Sequence, residues 1–240
     1  GYRFTGWYQD AACTVAWSFA DMPVTSDLTL YAGWKKTSSG GGSGSSGSSS
    51  GNSGSENKPS DEQTAQSNPF TDVAEDAYYH DAVLWAVENG ITSGLTETVF
   101  GPNQACTRAQ MVTFLWRAAG SPAPASTENP FVDIAQDAYY YDAVLWAAEQ
   151  GITGGTDAET FSPNATVTRA QTVTFLYRAA GSPAVSGSGF ADVAADAYYA
   201  DAVAWAADQG ITSGTTAETF SPAQACTRAQ IVTFLYRDRA

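Results

Sequence analysis

Three kinds of hydrophobic patterning follow one another along the chain. Residues 1–36 hold short aromatic-rich segments, separated by Asp, Pro and Gly, which is typical of strands in a small sheet. Residues 37–67 are polar and largely Ser and Gly, so they cannot bury enough apolar surface to fold. Later residues carry apolar side chains at helical spacing. The pattern predicts a β fragment with strands near 3–8, 14–19 and 28–34, a flexible linker and a mainly α region.

The helical region is an internal repeat. A spacing of 61 and then 59 residues separates the members of two equivalent sets: Phe70, Phe131 and Phe190, and Arg108, Arg169 and Arg228. Such a period changes the predicted architecture, because each unit then copies one supersecondary motif. We place the repeats at residues 68–122, 129–183 and 188–240.

Each repeat is predicted to contain two helices. In the first repeat, one helix follows an acidic turn and stops at Gly90, and its residues 82–87 are apolar on all sides. The other helix runs from Arg108 to Gly120, where a Ser-Pro pair stops it. A unit of about 55 residues is too small to bury such surfaces alone. We therefore expect a mainly α fold in which three repeats share one core.

The second helix of every repeat opens on Thr-Arg-Ala-Gln, which is the pattern of a capping box. The arginine at the first helical position lies beside free backbone N–H groups, and together they can hold an anion. The alternative is that each arginine only pairs with a nearby acid. Since Thr and Gln would still cap the helix, the motif predicts that removing the arginines leaves the fold intact.

Charge limits the possible partners. The chain has 25 acidic and 11 basic residues and a net charge of −14, so nucleic acid and anionic membrane surfaces are not expected partners. No apolar run reaches 18 residues, so no membrane span is predicted. Because the chain begins at Gly1 without Met, we expect a piece of a longer precursor, whose signal peptide cannot be judged.

No enzyme, metal or cofactor chemistry is predicted. The only histidine, His80, is replaced by Tyr141 and Ala200 in the other repeats. Cys106 and Cys226 occupy equivalent positions, where the second repeat has valine, so we interpret them as buried small apolar residues too far apart to bridge. The repeated acids Asp72, Asp133 and Asp192 are predicted to cap a turn or hold the neighbouring arginine. Arginines near the helix ends, Arg117, Arg178 and Arg237, are interpreted as structural.

Two family resemblances rest on particular residues. Gly1-Tyr2-Arg3-Phe4-Thr5-Gly6-Trp7-Tyr8 and the segment around Leu28-Thr29-Leu30-Tyr31 resemble the second half of a Listeria–Bacteroides repeat, a β-grasp-like module. The other resemblance is to the S-layer homology domain, and it covers about 170 residues. It rests on Phe70-x-Asp72-Val73, Gly90-Ile91-x-x-Gly94, Phe100-x-Pro102 and Thr107-Arg108-Ala109-Gln110, with the same motifs in the other two repeats.

The resemblance to the S-layer homology domain implies a pseudo-threefold trimer within one chain. It further implies binding of cell-wall polysaccharide that carries pyruvate ketals, in grooves between adjacent repeats. The implied ligand-binding residues are Arg108, Arg169, Arg228, Asp72, Asp133, Asp192, Tyr78, Tyr139, Tyr198, Gly94, Gly155 and Gly214. The family commonly has Glu where this chain has Gln at the end of the motif. It also often has Trp at the three tyrosine positions, so the aromatic wall has a different shape here.

We therefore expect a secreted, monomeric anchor that holds a bacterial surface protein non-covalently to the cell wall or S-layer. Two alternatives stay open. The segment could be the C-terminal tether of an upstream enzyme or adhesin, or a protein-binding scaffold that has lost sugar recognition.

Overall fold

The computed structural model describes residues 2–8, 29–36, 68–185 and 190–239, and the chain divides into two compact units, Gly1–Ser67 and Asn68–Ala240. In the first unit, strand β1 (Tyr2–Tyr8) pairs antiparallel with strand β2 (Tyr31–Lys36). The register shifts between Phe4 and Gly6. The predicted strand at 14–19 and the predicted linker at 37–67 lie outside the described residues.

The second unit is helical, which confirms the predicted mainly α fold. Its helices are α1 (His80–Glu88), α2 (Arg108–Ala118), α3 (Tyr141–Glu149), α4 (Arg169–Ala179), α5 (Ala200–Asp208) and α6 (Arg228–Arg239). Each repeat contributes two consecutive helices. No helix in the described parts of the chain is long and apolar enough to cross a membrane.

The helix ends follow the local sequence. At the start of α2, the side-chain oxygen of Thr107 accepts a hydrogen bond from Gln110 N (3.2 Å), and Thr107 N donates to Gln110 Oε1 (3.0 Å). The same reciprocal pair opens α4 and α6, so the predicted capping boxes are confirmed. The first helix of each repeat has no such cap, and it ends at a glycine with positive φ, such as Gly90 at 68°.

The helices pack in a closed order. The second helix of each repeat lies against the first helix of the next: α2 on α3, α4 on α5, and α6 on α1. In addition, α2, α4 and α6 contact one another. The third repeat therefore closes on the first, and all three share one core, while the pseudo-threefold symmetry of the ring stays a prediction.

Aromatic residues fill this core at equivalent positions. Phe100, Phe161 and Phe220 are fully buried. The ring centroid of each lies 5.6–5.8 Å from that of the phenylalanine near the start of the same repeat, which is Phe70, Phe131 or Phe190. The tryptophans of the first helices differ in burial. Trp146 and Trp205 are buried, whereas Trp85 is half-buried and contacts Tyr236 at 5.6 Å.

The two cysteines lie next to each other where the three repeats meet. Cys106 N donates to Cys226 O (3.0 Å), Cys226 N to Val167 O (2.9 Å), and Val167 N to Cys106 O (2.9 Å). Both thiols are free and buried, which confirms their interpretation as small apolar residues. The expectation that they lie far apart is wrong, because the residue before each helix cap turns inward to pair with its two equivalents.

We expect residues 68–240 to unfold as one cooperative unit. Deleting 188–240 removes α5 and α6, which leaves the faces of α4 and α1 without their partners, so the remaining two repeats should aggregate or lose a sharp thermal transition. Calorimetry and light scattering of the truncated and intact proteins check this. A monomeric two-repeat fragment with a cooperative melt would contradict the shared core.

The cysteines predict a pH dependence. Burial raises the pKa of the Cys106 thiol to about 12 and that of Cys226 to about 11. An unfolded thiol has a pKa of about 8.5, so from about pH 9 to pH 11 the folded state holds more protons. Stability should then fall as pH rises, by about 1.4 kcal/mol per pH unit for each thiol.

Replacing both cysteines with valine, as the second repeat does naturally, is the matched test. Cys106→Val with Cys226→Val should cost less than about 1.5 kcal/mol near neutral pH. The double variant should also lose the thiol part of the alkaline slope. Urea unfolding of both proteins between pH 7 and pH 10.5 measures the difference, and parallel pH profiles would contradict the assignment.

Candidate functional site

The motif arginines lie inside the protein and link the repeats. Each is only 2–3% exposed, although arginine is almost always at the surface. The side chain leaves its own helix and reaches the next repeat, where Nε donates to the carbonyl of the buried phenylalanine. These bonds join Arg108 to Phe161 (2.8 Å), Arg169 to Phe220 (2.9 Å) and Arg228 to Phe100 (2.8 Å).

Two phenylalanine rings enclose each guanidinium. The Cζ atom of Arg169 lies 4.7 Å from the ring centroid of Phe220 and 5.4 Å from that of Phe234. The other two arginines have the same surroundings. Because a desolvated cation attracts an aromatic face, these contacts are worth about 1–2 kcal/mol each. The charge is thereby held between aromatic rings at the boundary between repeats.

The hydrogen bonding of the guanidinium groups is incomplete. Nη2 of Arg108 and Nη2 of Arg169 are buried and have no hydrogen-bond partner. In the third repeat, Nη2 of Arg228 donates to Thr92 Oγ1 (3.2 Å). Burial lowers the pKa of both Arg108 and Arg169. An unsatisfied buried donor costs about 1–3 kcal/mol, and more for a charged group, so these two nitrogens favour an acceptor.

The repeated aspartates bind backbone amides of a turn. The Asp133 carboxylate accepts hydrogen bonds from Phe161 N (2.8 Å) and Ser162 N (2.7 Å), and Asp72 and Asp192 bind the equivalent amides. Within the described residues, no ion pair joins Asp133 or Asp192 to Arg108 or Arg169. Of the two predicted roles, the contacts are those of a turn cap. The acid fixes the turn whose carbonyl then accepts from the arginine.

The glycines at the predicted site are required by backbone geometry. Gly155 has a φ of 87°, and an added Cβ would lie 2.8 Å from the Phe131 ring and still closer to two carbonyl oxygens. Its amide donates to Thr153 Oγ1 (3.2 Å). Gly94 and Gly214 have the same conformation and the same threonine contact. These glycines therefore shape a tight loop beside the arginine.

The predicted tyrosines lie at the surface. Tyr78, Tyr139 and Tyr198 are 64%, 41% and 65% exposed. Each packs edge-on against the next residue in the chain, also a tyrosine, with ring centroids 4.9–5.0 Å apart. This contact fixes the ring while leaving much of it in solvent.

A cavity of about 250 Å³ brings residues of all three repeats together. The first repeat contributes Tyr78 and the second contributes Arg169. The third repeat contributes the other lining residues: Thr212, Ser213, Gly214, Gln230, Thr233, Phe234 and Arg237. Three predicted ligand-binding residues, Tyr78, Arg169 and Gly214, thus share one groove, while Asp192 is not in its lining.

Among the lining residues that the sequence did not predict as ligand-binding, Arg237 is the charged one, because its position suggested only a helix-end role. One signal was available in the sequence. Residues 68–240 contain seven arginines and no lysine, against 19 acidic residues. Six of the seven form two repeated sets: the motif arginines Arg108, Arg169 and Arg228, and the helix-end arginines Arg117, Arg178 and Arg237.

Comparison with known families gives two matches. The model of the S-layer homology domain matches residues 69–112, 130–173 and 189–232, together more than half of the chain. The model of the Listeria-Bacteroides repeat domain matches residues 1–33.

Several relatives are proteins of bacterial surfaces. The chain is 35% identical to a "Cell surface protein" of Thermoanaerobacter kivui over 49% of its own length, and 32% identical to a "Surface-layer 125 kDa protein" of Lysinibacillus sphaericus over 47%. It is also 32% identical to an "Endoglucanase" of Bacillus sp. (strain KSM-635) over 50%. The matched regions cover 16%, 9% and 12% of those proteins, so the chain spans less than a fifth of their length.

The contacts of the motif arginines lead us to predict that their removal harms the fold, contrary to the expectation from the capping motif. Arg169→Ala would delete the bond to Phe220 O and the contacts with two rings, so we expect a loss of about 2–4 kcal/mol of stability. Arg239→Ala is the control, since Arg239 is exposed and forms an ion pair with the adjacent Asp238. Urea unfolding of both variants measures the costs, and equal small losses would contradict the linking role.

Proposed function

The chain belongs to the S-layer homology domain family, and we propose from that premise that residues 68–240 anchor a secreted surface protein by binding acidic cell-wall polysaccharide. The cell-surface location and the general role in cell-wall anchoring follow from the family and from the relatives. The proposal concerns the ligand. We infer that it is a secondary cell-wall polymer whose sugars carry carboxylates, as pyruvate ketals do.

One observation carries the proposal: the buried guanidinium groups of Arg108 and Arg169 each have an Nη2 without a partner. Arg169 lies in the wall of the cavity, and we propose that an anion in the cavity reaches its guanidinium group. A carboxylate is the acceptor best matched to a guanidinium, and hydrogen bonds between the two are roughly twice as strong as neutral ones. The low dielectric of the site would strengthen the contact further.

The charge distribution makes the recognition local. The chain as a whole carries −14 and repels a polyanion at long range. Within residues 68–240, however, every basic residue is an arginine, and six of the seven belong to the two repeated sets. An acidic polymer is therefore attracted only where arginines of neighbouring repeats come together. This arrangement favours specific binding of an acidic sugar over nonspecific binding of anions.

The tyrosines supply the second half of a sugar site. Tyr78 lines the same cavity as Arg169 and presents a mostly exposed ring. A pyranose has an apolar face of C–H groups that packs on such a ring, and burial of apolar surface stabilises the contact. We propose that the ring selects the sugar and that the arginine selects its acidic substituent.

We propose one groove at each motif arginine, and we expect the groove of Arg228 to bind the polymer more weakly than the grooves of Arg108 and Arg169. Nη2 of Arg228 already donates to Thr92 Oγ1, so an anion there must replace an existing hydrogen bond. At Arg108 and Arg169 the anion would satisfy a donor that otherwise stays unpaired. We therefore propose that the grooves of Arg108 and Arg169 provide most of the affinity.

Binding of the full chain to purified wall polymer tests the proposal. We expect tight binding to intact polymer and at least about tenfold weaker binding after mild acid removes the ketal groups. Because this comparison changes only the ligand, a change in protein stability cannot mimic the effect. Equal binding to both polymers would contradict recognition of the acidic group.

Tyrosine variants test the groove itself. Tyr78→Ala with Tyr198→Ala should weaken binding to intact polymer by about fivefold or more, from loss of ring contact, with little change in the thermal melt. Tyr31→Ala is the matched control, because Tyr31 is an exposed tyrosine of the other unit. Unchanged affinity in the double variant would place the site elsewhere.

A second candidate function concerns the longer protein. The similarity to a protein named as an endoglucanase shows that a segment like this one occurs together with an enzyme. We propose that the segment acts as a tether for such an enzyme or an adhesin, with no catalysis of its own.

The alternative of a protein-binding scaffold predicts a different partner. Binding to host or bacterial proteins instead of polymer, measured by capture on each, would favour the scaffold alternative.

A further inference from the structure

We propose that Arg178 and Arg237 are second anion contacts, so that each groove grips one acidic sugar between two arginines of adjacent repeats. The inference rests on the proposed function and extends it. It assigns ligand binding to residues whose position near helix ends otherwise indicates only compensation of the helix dipole.

The groove of Arg169 shows the arrangement directly. Arg237 lines the same cavity as Arg169, although the two belong to different repeats. Nη1 of Arg237 donates to Ile211 O (3.2 Å), which fixes its guanidinium beside the loop of Thr212 and Gly214. Arg237 is exposed, unlike Arg169, so its remaining donors are accessible to a ligand that enters the groove.

The tyrosine wall connects the two arginines. Desolvation and the neighbouring Tyr79 raise the pKa of Tyr78, and the charges of Arg169 and Arg237 act in the opposite direction. All three side chains line the same cavity. A sugar stacked on this ring would lie between them.

The same combination occurs a second time. Desolvation raises the pKa of Tyr198, and Arg108 and Arg178 oppose it. Nη1 of Arg178 donates to Ile152 O (3.1 Å), as Arg237 does to its own equivalent carbonyl. From this equivalence we infer a second groove that combines the buried Arg108 and the half-buried Arg178 with Tyr198, again from three different repeats. A role confined to the helix end would not require the tyrosine and both arginines to coincide.

Two arginines at one sugar define the ligand class more narrowly. A single carboxylate has two oxygens, so it can accept from both guanidinium groups at once, and an acidic ketal adds ring oxygens nearby. A neutral polysaccharide offers no group that matches both cations. We therefore infer selectivity for sugars with a carboxylate on a rigid ketal or ring over sugars without an acidic group.

The test uses the full chain with Arg178→Gln and Arg237→Gln together. Glutamine can still donate to the carbonyl that the arginine binds, Ile152 O or Ile211 O, but it carries no charge. Affinity for intact wall polymer should fall at least about tenfold, while binding to acid-treated polymer and the thermal melt change little. Arg239→Gln is the matched control, since it removes a charge from α6 outside the cavity and should leave affinity unchanged.

The outcomes separate the two proposals. If the parent protein discriminates between intact and acid-treated polymer but the double variant binds like the parent, the second contact is overturned and the proposed function stands. If the parent does not discriminate, the proposed function fails first. Should the glutamine variant lose its thermal transition, Arg178→Lys with Arg237→Lys decides. Lysine keeps the charge at the helix end but cannot bind a carboxylate through two nitrogens, so we expect about three- to tenfold loss, and parental affinity would overturn the proposal.

Discussion

The bond from each motif arginine to a carbonyl of the next repeat is the contact on which the remaining structure depends. It crosses every boundary between repeats, from Arg108 to Phe161, from Arg169 to Phe220, and from Arg228 back to Phe100. The acceptor is held in place by an aspartate that binds the amide of the same phenylalanine. The capping box holds the donor at the start of its helix. A short motif, repeated three times, thus joins three small units that could not be stable alone.

This contact couples the stability of the fold to the ligand site. The buried guanidinium stabilises the repeat boundary through Nε and two aromatic rings, yet in two of three cases it leaves Nη2 unsatisfied. A natural sequence tolerates such a cost where function requires it. A ligand that binds only the folded ring also stabilises it by mass action, so an anchor engaged with the wall resists unfolding better than a free one.

The three grooves that we propose, one at each motif arginine, have a further consequence for anchoring. A polymer with many acidic sugars can engage more than one groove, and each contact after the first is intramolecular. Moderate affinity at single grooves then suffices for retention. The strongly acidic remainder of the chain disfavours binding elsewhere, since six of the seven arginines of residues 68–240 belong to the two repeated sets. Under the proposed function, the anchor is selective through the placement of few cations rather than through overall charge.

The sequence by itself determined the features that depend on neighbouring residues. The repeat period, the capping boxes, the glycine at the end of each first helix and the burial of Cys106 and Cys226 were all predictable. Each follows from local backbone chemistry or from which side chains can face water.

Only the tertiary structure decided how the repeats meet. It placed the aspartates on backbone amides, brought the two cysteines together at the centre, and buried the arginines against rings of the next repeat. It also showed that Arg237, in the last turn of α6, lines the same cavity as Tyr78 and Arg169. These contacts join residues far apart in the chain, and their partners depend on how the ring closes. No local pattern encodes that closure, because it results from the packing of all three repeats at once.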